Sequence, residues 1–466
     1  MQRFRAFFSL IAIAVAAGCS STIATPATRV VSPPPNLITH VVILMQENRS
    51  FDNLFAGYPG ADTTMEGSCQ KAPWCKDPTK KVPLKPITLE STGRLGLGTD
   101  IDHSHHGFEI ECHYAGSACR MDGFDKIRYG EAGAGPPAKL YPYSYIERSE
   151  TKPYWTLAQQ YALADHMFFT DTAASFIAHQ EIISGTVALN SHESLTDQPD
   201  GLPWGCDAQA GTVSAVIFSN GKVDEFGGPF PCFTEYGTIA DLLDAANVSW
   251  KFYVMPFQGN GADFSGDVWN GFDAIKKIRY GPDWKRNISM PNTNVFGDLK
   301  NGTLPAMSWV IPTLEDSDHP ASGCNHGPRW ITQVVNAIGQ SKYWQNTAII
   351  LLWDDWGGWY DNVPPPQVSY TTLGMRVPMM VISPYARPNY ISATPYNFGS
   401  ILQFVEQNFG LGSLGVSDAS ANSMDDMFDF NQSPLTFHPA PLPHVTSCSG
   451  NPSNAQIIEH DGGAPE

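Results

Sequence analysis

The chain has 466 residues, 42% of them apolar, enough for one large core or for two or three smaller ones. Its formal net charge is −18, which excludes the basic stripe that nucleic-acid binding requires. An acidic protein can still hold a phosphate group where a metal ion supplies positive charge locally.

Residues 1–18 read as a lipoprotein signal peptide. Arg3 and Arg5 make its basic start, and Phe7 to Ala17 is an apolar stretch too short to span a bilayer. It runs into Ala16-Ala17-Gly18-Cys19, which resembles a bacterial lipobox with Cys19 as the acylated residue and membrane anchor. An ordinary secretory cleavage is the other reading, and both export the chain. Residues 19–36 are rich in Ser, Thr and Pro and read as an extended tether. Residues 37–450 are assigned to one catalytic domain, and 451–466 to a polar tail.

The first element of the domain is the apolar run His40 to Met45, which leads into Gln46-Glu47-Asn48-Arg49. Residues between about 58 and 152, and between 190 and 234, are rich in Gly, Pro and Cys and read as long insertions over a sheet edge. Helices are expected over Tyr154 to Ala162, Thr238 to Asn247, Pro328 to Ile338 and Phe398 to Phe409. Gly339 and Gly410 stand as stops for the last two. Strands are expected over Trp250 to Met255, Ile349 to Trp353 and Pro378 to Ser383. Alternation of the two types predicts an α/β fold with a mostly parallel central sheet flanked by helices. Eight cysteines follow Cys19, and an even count in an exported chain predicts disulfides. Nearest neighbours pair as Cys69–Cys75, Cys112–Cys119, Cys206–Cys232 and Cys324–Cys448. The last would staple the tail to the domain. Zinc is the competing use, but no Cys-x-x-Cys spacing occurs.

Two acidic clusters carry the chemistry. Glu47 and Asn48 close the first apolar run. Asp354 and Asp355 close Ala348 to Trp353, just before Gly357-Gly358. Both runs read as buried parallel strands, and chemistry in open α/β sheets collects at strand carboxyl ends. Together the four residues offer an all-oxygen seat for one hard divalent cation, with Ca, Mg or Mn favoured. Trp353, Trp356, Trp359 and Tyr360 bracket the acids and read as core and pocket wall rather than a quaternary-ammonium cage.

At these residues the chain resembles the bacterial phosphoesterase family of phospholipases C and acid phosphatases. The resemblance rests on His40 to Phe55, on Asp102-His103-Ser104-His105, on Met121-Asp122-Gly123-Phe124, on Trp353 to Asp361 and on Arg376-Val377-Pro378 to Ser383-Pro384-Tyr385. It implies an alkaline-phosphatase-like fold and hydrolysis of phosphate esters, phospholipids among them, by a metal-supported hydroxyl nucleophile. It also implies Glu47, Asn48, Asp354 and Asp355 as metal ligands. Ser175 matches the nucleophile, although Ile177-Ala178 replaces the family's Pro-Asn before His179. Thr172 is the fallback. His319, in Asp316-Ser317-Asp318-His319, matches the histidine expected to protonate the leaving oxygen. His103 matches one expected to touch phosphate. His105, His106 and His326 rank below these, and Asn362 stands where many members carry His. The substrate reading stays open between phospholipase C and acid phosphatase. A sulfatase or phosphodiesterase of the wider superfamily is disfavoured, since no Cys-x-Pro-x-Arg sulfatase signature occurs. A surface lipoprotein that binds a cation or an anion without turnover is the non-enzyme alternative.

Overall fold

The two apolar runs that end in acids lie side by side at the centre of the molecule. In the computed structural model, one sheet contains β1 (His40–Gln46), β2 (Ala162–Ala164), β3 (Trp250–Tyr253), β4 (Ile288–Ser289), β5 (Met307–Val310), β6 (Thr347–Trp353), β7 (Met379–Ile382) and β8 (Tyr390–Ser392). The strand order is β4-β3-β5-β1-β6-β7-β2-β8. Strand β7 runs antiparallel to both its neighbours, and the remaining pairs are parallel. The mostly parallel sheet expected from the alternating elements is therefore present. The structure describes residues 37–446 and 448, apart from 71–73, 94–99, 131, 259–262, 367–368 and 370. The expected signal peptide, Cys19, the tether and the 451–466 tail lie outside those residues. Among the described residues, no helix is long and apolar enough to cross a membrane.

Register decides what the sheet delivers. His40 pairs with Thr347, and the ladder runs without a slip to Gln46 opposite Trp353. Val41–Met45 and Ala348–Trp353 are all 0% exposed. Continuous burial on both faces is what an unbroken Val, Ile and Leu run satisfies, and it pins the register. The next residues on the two strands are Glu47 and Asp354, so the sheet sets these acids beside each other.

Seven helices are used below: α1 (Phe51–Phe55), α2 (His105–Cys112), α3 (Arg148–Gln160), α4 (Ser175–Ser184), α5 (Ile239–Ala245), α6 (Gly327–Gly339) and α7 (Phe398–Phe409). Six of them pack in two groups, α3 with α1 and α6, and α4 with α5 and α7. Helix α7 has the expected bounds, with Gly410 in left-handed backbone at its end. Helix α3 starts six residues earlier than expected and runs through Pro153. Gly339 is the last residue of α6 rather than its stop. The 58–152 stretch does more than cover an edge. Cys69, Phe108, Cys112 and Tyr143 are buried in the main core. Part of the 190–234 stretch joins a separate four-stranded antiparallel sheet formed by Ala188–Asn190, Glu193–Leu195, Val216–Phe218 and Val223–Asp224. All four expected disulfides are formed.

Candidate active site

Past the ends of β1 and β6 the two chains stay bonded. The Asp354 N–H donates to the Gln46 carbonyl at 3.0 Å, and the Arg49 N–H to the Asp355 carbonyl at 3.0 Å. The Asn48 N–H donates to Asp354 Oδ1 at 2.8 Å. Asn48 adopts left-handed backbone (φ 56°), which Asn tolerates better than most residues. The Gly-Gly turn is needed for the same reason of space. A Cβ on Gly357 would sit 2.3 Å from the Asn48 carbonyl oxygen, and Gly357 itself has φ +61°.

Ser175 is the first helical residue of α4, with Ala174 as the cap. Its hydroxyl therefore does not serve as a helix cap. It donates to Asp355 Oδ2 at 2.9 Å. Asn48 Nδ2 donates to Ser175 Oγ at 3.3 Å and lies 3.0 Å from His103 Nε2. His103 Nδ1 lies 2.7 Å from the Ile101 carbonyl, which can only accept. The proton of neutral His103 is thus on Nδ1, and Nε2 accepts from Asn48. This leaves Asn48 Oδ1 buried without a hydrogen-bond partner, like Glu47 Oε2 and Asp354 Oδ2. Three buried oxygens without donors fit coordination to a cation.

The electrostatics point the same way. Burial pushes the Glu47 carboxyl well above its ordinary range, and the nearby Asp354 and Asp355 charges add to the shift. Asp355 is raised by burial and by Asp354, while His103, the Gly357 N–H and the Ser175 hydroxyl oppose this. Packed carboxylates of this kind ionise readily only when something cationic joins them.

The structure brings Glu47, Asn48, His103, Ser175, Asp354 and Asp355 into one buried cluster. His319 sits at its margin. Its Nε2 is 3.8 Å from Asp100 Oδ2, and Asp100 Oδ1 is 3.8 Å from His103 Nδ1. Burial lowers the His319 pKa, and Asp100 opposes that shift. Thr172 faces elsewhere, with its Oγ1 2.8 Å from His105 Nδ1. His106 is exposed. His326 pairs with Glu315 at 3.1 Å and with the Thr446 carbonyl at 3.0 Å, under the C-terminal segment. Asn362 is tied to Asp62 and Arg376. The aromatic residues around the acids act as wall and braces: Trp353 Nε1 donates to Asp318 and Trp356 Nε1 to Glu111.

Two residues escaped the sequence reading as parts of this cluster. His179 Nε2 lies 3.2 Å from Glu47 Oε1, and Asp100 joins two histidines. For His179 a signal existed: it is one helical turn after Ser175, and residues four apart share a helix face. Asp100 carried none.

The sequence profile of the phosphoesterase family matches residues 38–412. The chain is 26% identical over 410 residues to a non-hemolytic phospholipase C of Burkholderia pseudomallei, covering 80% of this chain and 55% of that protein. It is 24% identical to a hemolytic phospholipase C of Pseudomonas aeruginosa, covering 84% of this chain and 56% of that one. Phospholipase C B of Mycobacterium tuberculosis is 23% identical, with 92% of this chain and 86% of that one covered. The chain thus spans just over half the length of the first two relatives. Among solved structures, a protein of the alkaline phosphatase superfamily from Vibrio parahaemolyticus matches at a TM-score of 0.34 and 13% identity, over 59% of this chain and 65% of that one. With a profile match across most of the folded chain, the protein belongs to the phosphoesterase family.

Proposed function

We propose that the chain hydrolyses phosphate esters in the manner of a phospholipase C, with Ser175 as nucleophile. The observation that carries this is the buried Ser175 hydroxyl, held between Asp355 Oδ2 and Asn48 Nδ2. Glu47, Asn48, Asp354 and Asp355 would hold one divalent cation, and the partnerless oxygens on Glu47, Asn48 and Asp354 fit that role. When bound, such an ion lowers the pKa of a nearby hydroxyl and neutralises phosphoryl charge.

The protein's own groups then have defined tasks. Asp355 fixes the Ser175 proton and Asn48 occupies one lone pair, leaving the other for phosphorus. The first-turn N–H groups of α4 would face anionic oxygens, while Asn48 Nδ2 holds Ser175 Oγ and His103 Nε2 in place. The Ser175 Oγ–P bond forms as the bond from phosphorus to the leaving oxygen breaks. The serine proton passes toward Asp355. His319 gives its proton to the leaving oxygen, and Asp100 favours the protonated imidazole this step needs. Water then attacks the phosphorus of the phosphoserine and gives its proton to His319, while the P–Oγ bond breaks and Asp355 returns the proton to Ser175.

A panel of phosphatidylcholine, para-nitrophenylphosphorylcholine and para-nitrophenyl phosphate, with and without chelator, tests the reading. Phospholipase C chemistry predicts turnover of the first two. Turnover of the last alone would make the enzyme an acid phosphatase, and no turnover at all would favour a binding lipoprotein. Ser175→Ala should lower turnover by at least ~10³-fold while metal stays bound, and Thr172→Ala should stay active. Near-wild-type turnover in Ser175→Ala would end the assignment. Export and lipid anchoring at Cys19 are proposed from the signal-like sequence. Incorporation of a labelled fatty acid that disappears in Cys19→Ser is the expected result.

A further inference from the structure

The all-oxygen seat expected from the acidic motifs omits a nitrogen that the fold places against it. His179 is 1% exposed, and its Nε2 lies 3.2 Å from Glu47 Oε1. Ligand-capable atoms of Glu47, His179 and Asp354 all lie within 4.8 Å of one another. Two ligands bound at ~2.1 Å can stand no more than about 4.2 Å apart across one ion. Little side-chain closure is needed to reach that geometry. The three residues come from three elements whose relative positions are rigid: the ends of the adjacent strands β1 and β6, and the second turn of α4.

Three features favour a ligand over a bystander. Glu47 Oε2 and Asp354 Oδ2 are buried without a donor from another group, and the two carboxyls lie close enough to share a proton, a costly arrangement for two carboxylates unless a cation joins them. The imidazole cannot swing to solvent, because it is enclosed and its ring lies nearly parallel to Trp269 (14°, centroids 6.3 Å). The helical path from Ser175 to His179 is continuous, so the nucleophile and the imidazole share one helix face. The competing role is a hydrogen bond that only orients Glu47. Coordination through Nε2 places the proton on His179 Nδ1, which has no hydrogen-bond partner in the structure, whereas the orienting role places it on Nε2.

We infer that His179 is a nitrogen ligand of the active-site cation, making the seat a mixed imidazole–carboxylate site for a transition-series divalent ion (Mn²⁺, Fe²⁺, Co²⁺ or Zn²⁺) in preference to Ca²⁺ or Mg²⁺. This rests on the metal reading proposed above. Imidazole suits transition ions, whereas Ca²⁺ and Mg²⁺ take oxygen almost exclusively.

The test uses the full-length protein, stripped with chelator and dialysed against an equimolar mixture of Mg²⁺, Ca²⁺, Mn²⁺ and Zn²⁺. Retained metal is measured by mass spectrometry. A second sample, loaded with Mn²⁺ alone, is examined by pulsed electron paramagnetic resonance for coupling to nitrogen. The wild type should retain Mn²⁺ or Zn²⁺ over Mg²⁺ and Ca²⁺ by at least ~10-fold and show histidine nitrogen coupling. His179→Gln should still bind Mn²⁺ but lose that coupling and most of the preference, while His103→Gln should keep both. Metal retained without nitrogen coupling, or coupling unchanged in His179→Gln, would overturn the inference and leave the metal reading standing. A wild type that retains no metal, with activity indifferent to chelator, would remove both. If His179→Gln does not fold, histidine labelled with ¹⁵N in the wild type decides through the change in coupling.

Discussion

At the scale of single residues, the site is organised by groups whose partners are fixed by elimination. The Ile101 carbonyl can only accept, so the His103 proton is on Nδ1, and Asn48 must turn its amide nitrogen inward. One residue near Ser175 makes a pH prediction. Burial raises the Asp171 carboxyl to about 8, the Asp197 charge adds to the shift, and the Thr172 N–H opposes it. A raised carboxyl favours the protonated form in the fold. Its contribution to stability is therefore complete below the unfolded value of about 4 and is lost as pH rises toward 8. Urea unfolding of the wild type between pH 5 and 8 should show stability falling with pH, by at most about 1.4 kcal/mol per unit from this group. Asp171→Asn should flatten that slope relative to the wild type. Identical slopes in the two proteins would show that Asp171 does not hold its proton in the fold.

At the scale of elements, the acidic turn after β6 depends on a buried ion network. Arg376 is 0% exposed. Its Nε lies 2.9 Å from Asp361 Oδ1, while Nη1 reaches Asp165 and Nη2 reaches Asn362. Asp361 Oδ2 in turn accepts the Asp52 N–H at 3.0 Å, at the start of α1. One guanidinium thus links the segment after β6 to the segment after β1. These are the same two segments that carry Glu47, Asn48, Asp354 and Asp355, the proposed ligands. Removing one partner of such a network leaves buried carboxylates uncompensated, at a cost of about 3–5 kcal/mol. Arg376→Met should lower the unfolding free energy by that amount, measured by denaturant titration. It should also weaken metal retention, because the segment that follows Asp354 and Asp355 loses its tie to the start of α1. A stability change below about 1 kcal/mol would mean that the network behaves like a surface pair.

At the scale of the whole molecule, the C-terminal segment is strapped across the α3–α6 face. The Cys324–Cys448 bridge closes a separation of 124 residues. Arg329 donates to the Pro443 carbonyl, and Asn336 exchanges bonds with both the N–H and the carbonyl of Ala440. A cross-link over so long a loop restricts the unfolded chain strongly and is worth about 2–4 kcal/mol. The double variant Cys324→Ser, Cys448→Ser should unfold at lower denaturant by that amount. Limited proteolysis should cut its segment 431–448 first, with the metal site intact. Equal protease resistance in the two proteins would show that the side-chain bonds alone hold the strap.

The sequence by itself determined the parallel sheet, its two central strands, the four disulfide pairings, helix α7 and the acids at the strand ends. Each of these rests on a local signal: an unbroken apolar run, a helical period closed by Gly410, an even count of cysteines, or two acids beside a Gly-Gly turn. Only the tertiary structure decided that β1 and β6 are neighbours in register, because strand order is a property of the fold and not of either segment. It alone supplied β2, β4, β5 and β8, which at two to four residues carry little periodic signal, although β3 and β7 at four residues were legible. It also brought Asp100 between His103 and His319, and turned His179 toward Glu47 while sending Thr172 to His105. Those placements depend on contacts between residues far apart in the chain, where spacing along the sequence carries no information.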